Sequence, residues 1–185
     1  MRTQIMDSLV IRARRDADAL GQLYERHYDR LFCYCMRRLY VREVAEDVTA
    51  TVFLQVARHM PTFAGTTEQD FRYWLYAIAT NEINTLVRVA KRREPLLDTV
   101  RQERLAMEAM GTGDDRDLHR LDWPMLYEAI LQLKPRHQAV VVLRYWEGLE
   151  HRAIAEVLGC QPVTVRVMLM RALGKLRKHL GAMAI

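Results

Sequence analysis

The 185-residue sequence has no apolar run approaching the ~18–20 residues that cross a bilayer, so no membrane insertion is expected. Its opening, MRTQIMDSLVIRARRDADAL, lacks an uninterrupted apolar core and a small-residue cleavage site, which argues against a secretory signal. Cysteine is scarce and odd in number. Cys33 and Cys35 lie too close on one predicted helix to pair comfortably, and Cys160 is far away, so a reduced, cytoplasmic setting is the expectation. The Cys33-Tyr34-Cys35 triplet with His27 upstream has no second Cys pair or His pair at ligand spacing, and packing is the better reading than a metal. There is no phosphate loop, no nucleophile elbow and no metal box, and the six histidines are scattered. Neither an enzyme nor a cofactor is expected. Strand alternation is missing too, which leaves an all-α chain.

What is present is 50% hydrophobic and 28% charged, the balance of a soluble globular protein long enough for one ordinary domain or two small ones. Dividing the charge is informative. Residues 1–93 carry a net +4, residues 94–123 a net −4 and residues 124–185 a net +5. Two basic blocks around an acidic strip predict a front domain at 1–93, a linker at 94–122 and a back domain at 123–185. Helical spacing predicts elements over 17–39, 42–59 and 71–93, with Asp70 as a candidate N-cap and a short helix around 100–109 in the linker. Further helices are predicted over 124–133, 135–146 (opened by Pro135), 150–158 and 162–180. In the first, Leu20, Leu23, Tyr24, Tyr28, Leu31 and Phe32 are expected to face inward.

LEHRAIAEVLGCQPVTVRVMLMRALGKL, residues 149–176, carries the strongest pattern. A short helix with Ala153, Ile154, Val157 and Leu158 inward meets the turn Gly159-Cys160-Gln161, and a second helix buries Val165, Leu169, Ala172, Leu173 and Leu176. This is a helix-turn-helix, whose second helix suits a major groove. Arg166, Val167, Met170 and Arg171 are its candidate base-reading residues, followed by Lys175, Arg177 and Lys178; arginines fit guanine edges or phosphates, and apolar groups fit thymine methyls. An antiparallel hairpin with a basic face is the bland alternative.

A second pattern is FRYWLYAIATNEINTLVRVAKRR, residues 71–93. Phe71, Trp74, Leu75 and Ile78 form a core stripe, while Tyr73, Tyr76, Thr80 and Asn84 point elsewhere, Asn81 sits at the rim and Arg88 follows. Aromatics, amides and arginines on one surface are the ingredients of single-strand recognition. A third is AEDVTATVFLQVARH, residues 45–59, where Val44, Val48, Val52 and Val56 form a seam. Beside it the surface begins with Glu46 and Asp47 and continues with Thr49 and Thr51, both mediocre helix formers.

Together these segments resemble a small bacterial sigma factor of the extracytoplasmic-function group. The resemblance rests on LYERHYDRLF, AEDV..VFL and F..WLY.IA.N in front, and on LKPRHQAVVVLRYWEGL and IAEVLG...VTVR..L.RAL..L behind. It implies two helical domains that give RNA polymerase its promoter specificity. The front domain would dock on the clamp helices of the polymerase's largest subunit through Glu46, Asp47, Thr51 and Phe53. It would also open single-stranded minus-ten DNA through Tyr73, Tyr76, Asn81, Asn84 and Arg88. The loop 61–69 matches the family segment that forms the base pocket. The back domain would read duplex minus-thirty-five DNA through Arg166, Val167, Met170, Arg171 and Lys175.

The sequence departs from the family where relatives read Asp-Leu-Val-Gln-Glu-Val-Phe: Gln has become Ala50 and Glu has become Thr51. Thr51 shares a face with Asp47, four residues earlier. The missing charge predicts weak docking, restored by a Ser/Thr protein kinase acting on Thr51, with Thr49 the second candidate. The alternatives are a sigma factor held by a conventional anti-sigma factor, and a stand-alone helix-turn-helix regulator. Glu150, in place of the usual Ser, should also weaken the cap of the first helix of the DNA-reading pair.

Overall fold

The computed structural model describes residues 8–90 and 123–183. The expected linker, its short helix at 100–109, and Lys91, Arg92 and Arg93 lie outside the described residues. Within them every regular element is helical, and no single helix is long and apolar enough to cross a membrane. The chain divides into two compact units, Met1–Ile83 and Asn84–Ile185.

In the first unit, Ser8 and Asp16 open α1 (Leu9–Ala13) and α2 (Ala17–Leu39) by accepting the amide hydrogens of Val10 and Asp18. Tyr40 ends α2 in the left-handed region (φ 61°), and Val41 starts α3 (Arg42–His59). A single 3-10 turn, Met60–Thr62, takes up Pro61 before the loop to α4 (Glu68–Ala90), which runs on past the end of this unit at Ile83. The expected N-cap Asp70 is instead the third helical residue. Thr67 is the cap: its hydroxyl accepts from the Asp70 amide (3.1 Å), and Asp70 Oδ2 accepts in return from the Thr67 and Thr66 amides (3.0 Å each). This reciprocal pair lets the helix begin one turn earlier than the apolar periodicity indicates. Those bonds hold the Asp70 carboxyl below its ordinary range.

Both α1 and α3 pack on α2. Of the valine seam, Val48, Val52 and Val56 are buried and Val44, in the first turn, is half-buried; Leu23, Leu31, Phe71, Leu75 and Ile83 complete this core. Fully burying such a side chain stabilises by about 1.5–3 kcal/mol. Tyr24, expected inward, is 43% exposed and covers the edge of Phe53, ring centroids 4.6 Å apart. A polar network crosses the core: Arg38 Nη1 donates to the Tyr34 hydroxyl (2.9 Å), which lies 2.7 Å from Thr80 Oγ1, all three side chains being buried. Cys35 is buried and its thiol is pushed up to about 11 by desolvation, whereas Cys33 is exposed. The two cysteines of the triplet thus face different surroundings.

In the second unit, α5 (Trp123–Leu131), α6 (Pro135–Tyr145) and α7 (His151–Leu158) pack against α8 (Pro162–Met183). Pro135 occupies the first turn of α6, where its missing amide costs nothing. Gln138, buried on α6, sends its amide to the Ile130 and Leu131 carbonyls (3.0 and 3.2 Å), closing the end of α5. Gly148 turns the chain with φ +66°. Glu150 makes no side-chain cap for α7, as its replacement of Ser suggests; its carboxylate pairs with Arg144 (3.0 Å).

Candidate nucleic-acid interface and docking face

The outer side of α3 presents Glu46, Asp47, Ala50, Thr51 and Leu54, the last 61% exposed. Two residues expected on this surface are not free there. Thr49 is fully buried: its hydroxyl donates to the Ala45 carbonyl (2.6 Å) and contacts the Cys35 thiol, so packing of α2 on α3 encloses it. A kinase has no access to it in the folded chain, and Thr49 is withdrawn as a modification candidate. Phe53 is buried beneath Tyr24 and beside Tyr28, so it shapes the face from below rather than offering a free ring. Glu46 is already paired with Arg42 (2.8 Å) one turn earlier. Of the two acids beside Thr51, one is thus partly neutralised by its own chain.

On α4 the residues at intervals of seven, Trp74, Asn81 and Arg88, fall on one side, since seven residues make almost two turns. Asn81 and Arg88 are exposed there, and Asn84 and Tyr73 are half-buried nearer the core edge. The Tyr73 hydroxyl accepts from Gln69 Nε2 (2.6 Å), and the Arg72 guanidinium lies 5.5 Å from its ring. Tyr76 is corrected from a DNA candidate to a core residue: it is 2% exposed and packs edge-on to Tyr34. Thr80 is buried with it.

The sequence reading left one aromatic at this face unnamed, Phe63, and placed another, Trp74, in the core. Phe63, from the loop before α4, stacks on Trp74 (4.3 Å, 14° between planes), and Phe71 meets both edge-on. Trp74 is half-buried rather than a core anchor. Its seven-residue spacing to Asn81 was the available signal. His27 packs behind Phe71 (5.2 Å) with Nε2 buried and unbonded. Burial pushes its pKa below the ordinary value, opposed by Glu68 and reinforced by Arg72, Arg26 and Arg30.

In the second unit α7 and α8 meet at a 98° bend. Gly159 (φ +59°) makes it, and the Cys160 amide returns to the Ala155 carbonyl (2.9 Å). Ala153, Ile154, Val157 and Leu158 are buried against Val165, Met168, Leu169, Ala172 and Leu176, so the pair is a packed helix-turn-helix. Arg166, Met170, Arg171 and Lys175 project outward, Met170 at 68% exposure, and Val167 is half-buried. Lys134 and His137 at the start of α6 lie close to this row: burial lowers the His137 pKa, and Lys175, Lys134 and Arg171 lower it further. The arrangement gathers cations from two helices beside a row that mixes arginine with apolar groups, suited to phosphates and base edges.

Known proteins match both parts of the chain. Residues 23–93 match the family model for Sigma-70 region 2, and residues 124–176 match that for Sigma-70, region 4. The chain is 32% identical over 171 residues to the RNA polymerase sigma factor CarQ of Myxococcus xanthus, spanning 91% of this chain and 92% of that protein. It is 32% identical over 177 residues to the ECF RNA polymerase sigma factor BldN of Streptomyces coelicolor, spanning 95% of this chain and 66% of BldN. The fold is shared with the sigma factor RpoE of Bartonella quintana, solved with the anti-sigma factor NepR (TM-score 0.62, 17% identity, 87% of this chain and 96% of that one).

Proposed function

The chain belongs to the extracytoplasmic-function group of RNA polymerase sigma factors, and on that premise we propose that its docking to the polymerase is switched on by phosphorylation of Thr51. Docking runs through α3, with Glu46, Asp47 and Thr51 meeting the basic clamp helices of the largest subunit and Phe53 fixing the height of the face. One observation carries the reading: Thr51 is exposed one turn from Asp47, on a face whose other nearby acid, Glu46, is tied to Arg42. A phosphothreonine adds about −1.5 to −2 charges there. A Ser/Thr kinase is the partner this implies.

Once docked, the chain reads promoters with two surfaces. Trp74, Tyr73, Asn81, Asn84 and Arg88 take the single-stranded minus-ten element, joined by Phe63. Arg166, Val167, Met170, Arg171 and Lys175 take the minus-thirty-five duplex. A stand-alone regulator accounts for the back unit alone and leaves the match over residues 23–93 without a role. Control by an anti-sigma factor is the second reading, favoured by the RpoE–NepR complex among the proteins of this fold.

The test is initiation by purified core polymerase supplied with four forms of the chain: unmodified, phosphorylated at Thr51, Thr51→Ala and Thr51→Glu. The phosphorylated form and Thr51→Glu should initiate, with the unmodified and Ala forms weak. Equal initiation by all four removes the switch and leaves anti-sigma control. No initiation by any form removes the sigma-factor reading.

A further inference from the structure

The loop between the 3-10 turn and α4 holds Phe63 against Trp74, and most of its bonds are local. The Phe63 amide donates to the Met60 carbonyl (3.1 Å), and the Thr66 and Thr67 amides donate to Asp70. Bonds within four residues set the loop's curvature and join it to the first turn of α4. A bond of a different kind ties it to a distant part of the chain. Arg14, at the end of α1 and 51 residues away, sends Nη2 to the Gly65 carbonyl (2.6 Å, partly buried). A second long-range tie, Arg26 to Glu68, is exposed and correspondingly weak. Gly65 itself has no room for a side chain. A Cβ there would collide with the Phe63 ring and lie 2.6 Å from Asp70 Cβ. The backbone at residue 65 is therefore pressed against Phe63 from one side and held by Arg14 from another.

We propose that Arg14 is a positioning residue for promoter reading: by gripping the Gly65 carbonyl it holds Phe63 on Trp74, and so sets the aromatic wall next to Asn81. This rests on the reading of that face as the minus-ten surface. Extruding a base costs unstacking energy, and the protein recovers it only if the wall stands ready when the base arrives. A loop free to drift would have to be ordered at that moment, which weakens the preferred base more than the others and erodes discrimination. Arg14 lies at the end of α1, outside the stretch matched to Sigma-70 region 2. It acts through the loop and touches no DNA.

Holoenzyme carrying the parent chain or a Thr51→Glu background should be challenged with a promoter library randomised at both elements, and the initiating templates sequenced. Arg14→Ala should flatten preference about tenfold at one or two adjacent minus-ten positions, with the minus-thirty-five preference and polymerase affinity unchanged. Arg14→Lys, which keeps one donor, should restore most of the preference. Gly65→Ala, whose Cβ would displace Phe63 directly, should lose it at the same positions, and Arg14→Gln, too short to reach the Gly65 carbonyl, decides the matter if Arg14→Ala does not fold. Unaltered minus-ten preference in these variants, or equal erosion at both elements, overturns the proposal. A parent holoenzyme with no minus-ten preference would instead refute the underlying reading of the face, before any substitution is made.

Discussion

If docking is governed by the charge on α3, two unrelated substitutions must act alike. The exposed side of α3 carries Glu43, Glu46 and Asp47 against Arg42 and Arg58, a net of one negative charge. Thr51→Glu adds one negative charge. Arg42→Gln removes one positive charge and also releases Glu46 from its ion pair. A unit charge about 6 Å from a cation contributes about 0.7 kcal/mol at the dielectric of water and about 2.8 kcal/mol at an effective dielectric of about 20. Each variant should therefore tighten binding to core polymerase roughly three- to hundredfold, nearer the low end because Arg42 is well exposed. The fold should barely notice, since an exposed i,i+4 pair contributes about 0.3–0.5 kcal/mol. Affinity would be measured with labelled chain and purified core at ~0.05 M and ~0.3 M salt, the gain shrinking at the higher value. If both variants bind like the parent at low salt, the charge argument is wrong. If only Thr51→Glu gains, the effect belongs to the geometry at residue 51 and not to the charge of the face.

Three further outcomes follow from the packing. Tyr34→Phe strips the buried Thr80 hydroxyl and Arg38 Nη1 of a partner; the first unit should lose about 1–3 kcal/mol, or roughly 5–15 °C of melting temperature, and an unchanged melt would refute the network's role. Gln138→Leu, which leaves the Ile130 and Leu131 carbonyls without that donor, should cost the second unit about 1–2 kcal/mol in urea denaturation while the first unit is unaffected. His27 gives a pH test. Its folded pKa lies below the ordinary 6.5, so the unfolded chain binds the proton more readily and stability is fully present above that value. It should be lost as pH falls from that value through the lowered folded one, and His27→Gln should flatten the slope; an equal slope in that variant would assign it elsewhere.

Much of this protein is set by local chemistry. Helical periodicity, Pro135 and Pro162 at helix starts, and Gly148 and Gly159 in left-handed turns fixed the elements of the back unit. They also fixed the reading row, because side chains one face apart on a single helix follow from 3.6 residues per turn. The amide lost at Ala50 and the acid lost at Thr51 were equally legible through the family resemblance. Tertiary structure decided which polar groups are free. Thr49 and Thr51 are two residues apart and chemically identical, yet the packing of α2 encloses one beside Cys35 and leaves the other in water. Tyr73 and Tyr76 part in the same way, and Phe63 meets Trp74 from a loop whose carbonyl at residue 65 is held by an arginine at residue 14. A helix's periodicity shows which residues share a side, but its neighbours determine how wide a strip they cover, and residues at the edge of that strip are assigned only when the chain closes on itself.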